Sequence, residues 1–313
     1  MIKFWFDKYR DKRASHRIRA LRPVEGLKSL GVDADIINGK SIEKLHRDDI
    51  VIFTKDTDPG QMLKLKQQGY LVGFDICDNK FDEDKENYDI YCREADFITC
   101  NTEFQQKELS AKKGRDSYVY IDPIERPIEP HTRTSCEPVE LIWYGGSASL
   151  KYVGFGEILP YLNTSGINYR LTILTNDAMS KVGHLCELGN VIVHDWTYEL
   201  QEAKVRESDI VFIPMTVGKA HMARRTMTKS PNRVLDGMAM GKWVVASPVP
   251  SYQQVSKFCW LDDYLEGIRF YLEEPDTVAE KIYKGQEWIK QNHTKEVAAK
   301  QLMDIYEKVR AGI

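Results

Sequence analysis

Short apolar runs alternate along this chain with longer stretches in which apolar residues recur every three to four positions. The runs predict strands over 2–6, 32–37, 49–53, 70–74, 96–99 and 118–121, with helical stretches at 16–29, 60–68, 83–94 and 103–112 between them. Strand, helix, strand at this rhythm implies right-handed crossover connections and a parallel sheet covered on both faces. Residues 122–138 break the pattern: Pro123, Pro127, Pro130 and Pro138 fall there without an apolar period, as in a linker. The rhythm then restarts with strands predicted at 139–144, 169–174, 190–194, 209–213 and 242–246. The tail, 277–310, keeps a helical period and predicts two helices that either finish the second unit or pack back on the first. The expected organisation is two successive α/β units, over 1–130 and 131–290, followed by a C-terminal helix over 291–313.

In open parallel sheets ligands bind beyond the carboxyl ends of the strands, so the loops there are where chemistry is sought. Two such sheets facing a cleft would offer one binding edge each. The loop and helix after the 209–213 strand read Lys229-Ser-Pro-Asn-Arg-Val-Leu-Asp-Gly-Met-Ala-Met-Gly241. Ser230 suits an N-cap, Pro231 a first helical position, and Gly241 a helix end. A helix start here would present backbone N–H groups and partial positive charge to an anion. The charge pattern agrees. From Ile210 to Leu235 there is no acidic residue, while Lys219, Arg224, Arg225, Lys229 and Arg233 are basic. A diphosphate fits such a loop, and Asp236, four residues after Asn232 on the same helix face, can accept hydrogen bonds from a ribose diol. A capped helix with a solvated basic flank is the competing reading.

A second segment, Trp143-Tyr-Gly-Gly-Ser-Ala-Ser149-Leu-Lys151, follows the 139–144 strand. Gly145 and Gly146 let a backbone approach a ligand closely, and Ser147, Ser149 and Lys151 can donate to phosphate oxygens. It matches neither GxGxxG nor GxxxxGK[ST], so a merely structural turn stays open.

In the first half, seven basic residues lie between Lys8 and Arg22 (Lys8, Arg10, Lys12, Arg13, Arg17, Arg19 and Arg22), with His16 and one acid, Asp11. Arg13, His16, Arg17 and Arg19 are the candidate acceptor ligands, and a solvated basic surface is the alternative. Asp75 and Asp78, in the loop after the 70–74 strand, are candidates to position a hydroxyl or take up its proton. The triplets Asp33-Ala-Asp35, Asp56-Thr-Asp58 and Asp82-Glu-Asp84 imitate a metal-binding motif, but two of them begin or interrupt elements without partner ligands, so no metal is expected.

Composition bounds the rest. The net charge over 313 residues is 44 − 47 = −3, which excludes a polycation coating nucleic acid or membrane and leaves only local anion contacts. Cys77, Cys92, Cys100, Cys136, Cys186 and Cys259 show no CxxC spacing and read as free thiols in a reducing compartment. No apolar h-region and no run of about 18 apolar residues is present, so a cytoplasmic protein is expected and the sequons at Asn163 and Asn292 carry no meaning.

Lys229-Ser-Pro-Asn-Arg-Val-Leu-Asp236 followed by Met-Ala-Met-Gly-Lys-Trp-Val-Val-Ala-Ser247 resembles the K-x-x-N-K/R-x-x-E-x-x-A-x-G-x-P-V-V-A stretch of glycosyltransferases of GT-B architecture, close to glycosyltransferase family 4. Arg17-Ile-Arg19 with Leu30-Gly31 is similar to their first helix, 95–102 to their A-D-x-V-T-x-x-S strand, and 208–214 to their A-D-x-x-x-x-P strand. The resemblance implies two Rossmann-like domains, a nucleotide-diphosphate sugar (UDP- or GDP-linked) held mainly by the second, a hydroxyl-bearing acceptor held by the first, and no metal or other cofactor. It puts Asp236 at the second Glu of the family's E-x7-E motif and Trp196 in the loop that holds the nucleobase. The first Glu is replaced by Thr228, and the family's first-domain His has no counterpart where Lys55 and Asp56 sit. The expected activity is metal-independent, retaining sugar transfer, with the acceptor a glycan, a lipid-linked molecule or modified nucleic acid. Lys229, Arg233 and Lys151 with the helix start would stabilise the departing diphosphate. A nucleotide-sugar 2-epimerase and a binding protein without catalysis are the alternatives.

Overall fold

The computed structural model describes residues 1–39, 44–54, 57–133, 137–216 and 226–312. Lys55, Asp56, Cys136, Lys219, Arg224 and Arg225, named above, lie outside the described residues. The chain divides into two compact units. The first comprises Met1–Glu125, Thr228–Ser230 and the C-terminal residues from Gln291 onward, and the second Arg126–Met227 and Pro231–Lys290.

The first unit is built on a six-stranded, wholly parallel sheet ordered β2-β1-β3-β4-β5-β6. Its strands are β1 (Ile2–Phe6), β2 (Ala34–Asn38), β3 (Ile50–Thr54), β4 (Leu71–Ile76), β5 (Phe97–Cys100) and β6 (Tyr118–Val119). β1 and β3 are buried at every residue, the signature of a strand covered on both faces. One face carries Trp5, Val51, Phe53, Phe74 and Leu65, and the other carries Phe4, Phe6, Ile52 and Val24 together with Ala298, Ala299 and Leu302 of the last helix, Lys295–Ala311. That helix lies so close to the helix Arg22–Ser29 that a Cβ on Gly26 would stand 2.1 Å from the Lys295 carbonyl oxygen.

The second unit repeats the scheme with order β12-β11-β10-β7-β8-β9, again all parallel. The strands are β7 (Val139–Tyr144), β8 (Tyr169–Thr175), β9 (Val191–Asp195), β10 (Ile210–Ile213), β11 (Trp243–Ala246) and the two-residue β12 (Trp260–Leu261). Trp143, Phe155, Leu159, Ile173, Phe212, Trp243 and Ile268 form its main core. Among the described residues no helix is long and apolar enough to cross a membrane.

The division between the two units falls within the segment read as a linker, at Glu125/Arg126, and part of that segment is packed. It has no regular secondary structure from Asp122 to His131, but Asp122 and Arg126 are buried at 3% exposure each. Arg126 donates to Glu202 at 2.8 Å and lies 3.6 Å over the Tyr198 ring, while the Asp122 backbone carbonyl meets His293 Nδ1 at 3.0 Å. Proline here fixes the path of a packed strap, because rigid φ lowers the entropy lost on packing it.

Candidate functional site

In the second sheet β7 comes first in the chain, and its successors leave in opposite directions: β8 and β9 on one side, β10, β11 and β12 on the other. The connections therefore part between β7 and β10, and beyond the carboxyl ends of these strands lies the crevice where open α/β sheets hold ligands. Tyr144, Gly145 and Gly146 occupy that point, followed by a 3-10 turn Ser147–Tyr152. The Gly145 N–H donates to the Leu174 carbonyl at 3.1 Å, and that of Ser149 to Gly146 at 2.8 Å, which fix the loop's course. A Cβ on Gly145 would press to 3.0 Å from the Trp143 ring and stand 3.5 Å from Arg233 Nη1. Glycine thus leaves the guanidinium of Arg233 accessible beside the loop.

Arg233 is braced from several directions. Its Nη1 donates to the Tyr144 carbonyl at 3.1 Å, its guanidinium lies 5.9 Å from the Trp143 ring, and it hydrogen-bonds Tyr252, whose hydroxyl burial pushes up in pKa against the opposing pull of Arg233. The Tyr144 hydroxyl donates to the Arg233 carbonyl at 3.4 Å. These partners are neutral, and among the described residues no carboxylate pairs with Arg233. Its charge is held in position yet uncompensated, the property an anion site requires.

The helix Asn232–Ala239 begins here, with Pro231 at the cap position and no acid in its first turn. Val234, Leu235, Met238 and Ala239 are fully buried and hold it to the sheet. Gly241 closes it in the left-handed region at φ +71°, with the Lys242 N–H returned to the Gly237 carbonyl at 3.0 Å. A Cβ there would also fall 2.6 Å from the Pro130 carbonyl oxygen. Asn232 is half-buried, and Asp236 one turn on is 5% exposed. Ser147 is half-buried and Lys151 exposed, its ammonium 5.1 Å from the Tyr152 ring. Trp196, half-buried after β9, donates its indole N–H to Gln201 at 2.8 Å, so any contact it makes with a base is through the ring rather than that nitrogen.

Several sequence expectations need correction. Ser230 is not the cap: the helix starts one residue later, and the Ser230 hydroxyl donates to the Asp122 carboxylate within the first unit. Lys229 also belongs to the first unit, with Nζ 4.0 Å from an Asp78 oxygen and both side chains about a quarter exposed. Thr228 beside it is buried.

In the first unit the basic cluster splits. The segment after β1 coils through one α-turn, Ala14–His16, and a π-helical stretch, Arg17–Leu21, which turns Arg17 and Arg19 inward. Arg19 is 1% exposed and makes a bidentate pair with Asp75, itself fully buried, at 3.0 and 2.6 Å, while its Nη1 donates to Asp122 at 2.8 Å and to the Tyr120 carbonyl at 3.0 Å. Its guanidinium stacks 3.4 Å over Tyr120. Burial alone would lower the Arg19 pKa, but the charge of Asp75, then Tyr120 and Asp122, raises it well above the ordinary value. Thr99 donates to Asp75 at 2.7 Å. The expected base at Asp75 and acceptor ligand at Arg19 are therefore both core groups saturated by each other. Arg17 pairs with Glu125 at 2.6 and 3.1 Å and is likewise buried, and His16 is 2% exposed, its ring tilted against Phe6 at 4.3 Å. Arg13 is half-buried, leaving Asp78 as the partly exposed carboxylate of the pair first considered. Asp122, Glu125 and Tyr252, which sequence reasoning missed, carry this machinery. Their only sequence signal was the need of Arg17, Arg19 and Arg233 for partners.

Among the described residues no group of three or more His, Cys, Asp and Glu side chains is arranged around a common metal position. Among the described residues five cysteines are free thiols. Burial pushes Cys92 and Cys100 up to about 11 and Cys259 to about 12, which keeps them protonated and inert.

No protein-family model matches the chain, and no curated protein matches it in sequence. Solved structures do match in shape. Sucrose-phosphate synthase from Thermosynechococcus elongatus is 11% identical, covers 100% of this chain and 99% of its own, and gives a TM-score of 0.71. HepE from Anabaena, in complex with UDP and glucose, is 9% identical over 98% and 99% of the two chains at 0.69, and a glycosyltransferase from Rickettsia africae 13% identical over 98% of each at 0.65. The two six-stranded parallel sheets and this full-length likeness give the chain the GT-B glycosyltransferase fold.

Proposed function

We propose that the chain is a glycosyltransferase that moves a sugar from a nucleotide-diphosphate sugar to a hydroxyl-bearing acceptor, with retention and without a metal. The observation that carries this is Arg233: a guanidinium braced by neutral groups at the point where the strand order of the second sheet parts, beside a glycine pair and an acid-free helix start. Breaking the bond between sugar and diphosphate leaves negative charge on the diphosphate. A fixed cation and oriented N–H groups stabilise that charge without having to reorganise, a contribution on the order of 3 kcal/mol per donor. Within the second unit, Arg233, Gly145, Gly146, Ser147, Lys151 and the start of the helix Asn232–Ala239 hold the diphosphate, Asp236 the ribose and the ring of Trp196 the base. In the first unit Asp78, with Lys229 as its neighbour, positions the acceptor hydroxyl. UDP is the first nucleotide to test, since HepE of the same fold is in complex with UDP and glucose.

Incubation of the pure protein with UDP- and GDP-sugars tests the reading. Release of UDP or GDP, accelerated by a hydroxyl acceptor and undiminished by a chelator, is expected, and the anomeric coupling of the product reports retention. A product that is an epimer of the donor, or nucleotide binding with no turnover, would overturn it.

A further inference from the structure

With Arg17, Arg19 and Arg22 paired to Glu125, to Asp75 and Asp122, and to Glu25, the basic character of the first unit's leading loop rests on other residues. Lys8, Arg10 and Lys12 are exposed, and among the described residues no carboxylate pairs with them. They stand on the loop leaving the carboxyl end of β1. In the sheet order β2-β1-β3 that strand end is the point where connections part, so the loop borders the first unit's own ligand crevice.

The loop is also held rigid from beneath. The Tyr9 N–H donates to Asn38 Oδ1 at 2.9 Å and the Arg10 N–H to His16 Nδ1 at 3.0 Å, while Arg17 Nη1 donates to the Asp11 carbonyl at 2.8 Å. Tyr9 packs at 5.4 Å on Phe6 and 5.6 Å on His16. Two buried side chains, His16 and Arg17, and the exposed Asn38 thus direct hydrogen bonds to the backbone of an exposed loop. Ordering in advance lowers the entropy lost when a ligand engages the cations it carries.

We propose that Lys8, Arg10 and Lys12 bind a phosphate, or an equivalent anionic group, on a soluble acceptor. This deepens the transferase reading and rests on it. His16 and Arg17 act here as positioning residues, not as the acceptor ligands expected from the sequence. A bilayer is the weaker occupant, because membrane surfaces are gripped by cations together with apolar anchors. Among the described residues the exposed large apolar side chain of the first unit is Leu30, at the far end of the helix Arg22–Ser29 from this loop. Nucleic acid would call for a longer basic track than three cations supply.

The test titrates the full chain calorimetrically with two matched pairs, glucose 6-phosphate against glucose and glycerol 3-phosphate against glycerol, and separately with UDP and with vesicles of phosphatidylcholine and phosphatidylglycerol. At least one phosphorylated probe is expected to bind on the order of tenfold more tightly than its neutral counterpart, with the preference shrinking as salt is added. The variant Lys8→Ser, Arg10→Ser, Lys12→Ser should abolish the preference and leave UDP binding intact. Equal binding of all matched pairs, an unchanged preference in the triple variant, or attachment to vesicles alone would overturn the proposal. Failure of UDP and, in a parallel titration, of GDP to bind the unaltered protein would instead remove the transferase reading, and the matched pairs read out independently of it.

Discussion

Two arginines show how charge compensation separates structure from chemistry. Arg19 and Arg233 each sit at the carboxyl edge of a parallel sheet and each lies near an aromatic ring, Tyr120 at 3.4 Å and Trp143 at 5.9 Å. Arg19 meets two carboxylates and is sealed from water, whereas Arg233 meets a carbonyl and a hydroxyl and remains partly exposed. A guanidinium already neutralised at close range has little field left for a ligand, so the first holds a fold together and the second is available for binding.

Breaking each in turn tests the contrast. Arg19→Met leaves Asp75 and Asp122 buried without their cation and is expected to destabilise the protein by about 3–5 kcal/mol, read from denaturant unfolding. A loss below about 1 kcal/mol would mean that the pair is dispensable. Arg233→Met should leave the unfolding midpoint nearly unchanged but lower kcat/KM for nucleotide-sugar cleavage by about 100- to 1,000-fold, and equal activity would remove Arg233 from the diphosphate site. The smallest effect sharpens the first unit's side. Burial holds His293 below its ordinary pKa of 6.5 while its ring meets the Asp122 carbonyl. The unfolded chain then takes up the proton more readily than the folded one, so stability is full above pH 6.5 and falls as pH drops below it, by at most about 1.4 kcal/mol per pH unit for one group. His293→Asn should flatten that slope in thermal melts between pH 7 and 5.

What could be read from the sequence was what local periodicity encodes. Strands over 2–6 and 139–144 coincide with β1 and β7, and most others differ by one or two residues at their ends. β12 was missed because two residues, Trp260 and Leu261, carry no period. The glycine pair and Arg233 were singled out because one short motif holds each, and the structure puts Gly145 beside Arg233. The inward turn of Arg19 was not, because its partner Asp75 lies 56 residues away and its other carboxylate, Asp122, sits in a stretch whose prolines suggested a linker. Residue type announces a charge, and only the fold announces its counterion.

Gly241 sets a boundary on how this molecule can vary. With a left-handed backbone and the Pro130 carbonyl where a side chain would begin, the position admits no other amino acid without rebuilding two segments at once. Any redesign of this unit should therefore treat position 241 as fixed, together with Pro130 whose carbonyl it meets.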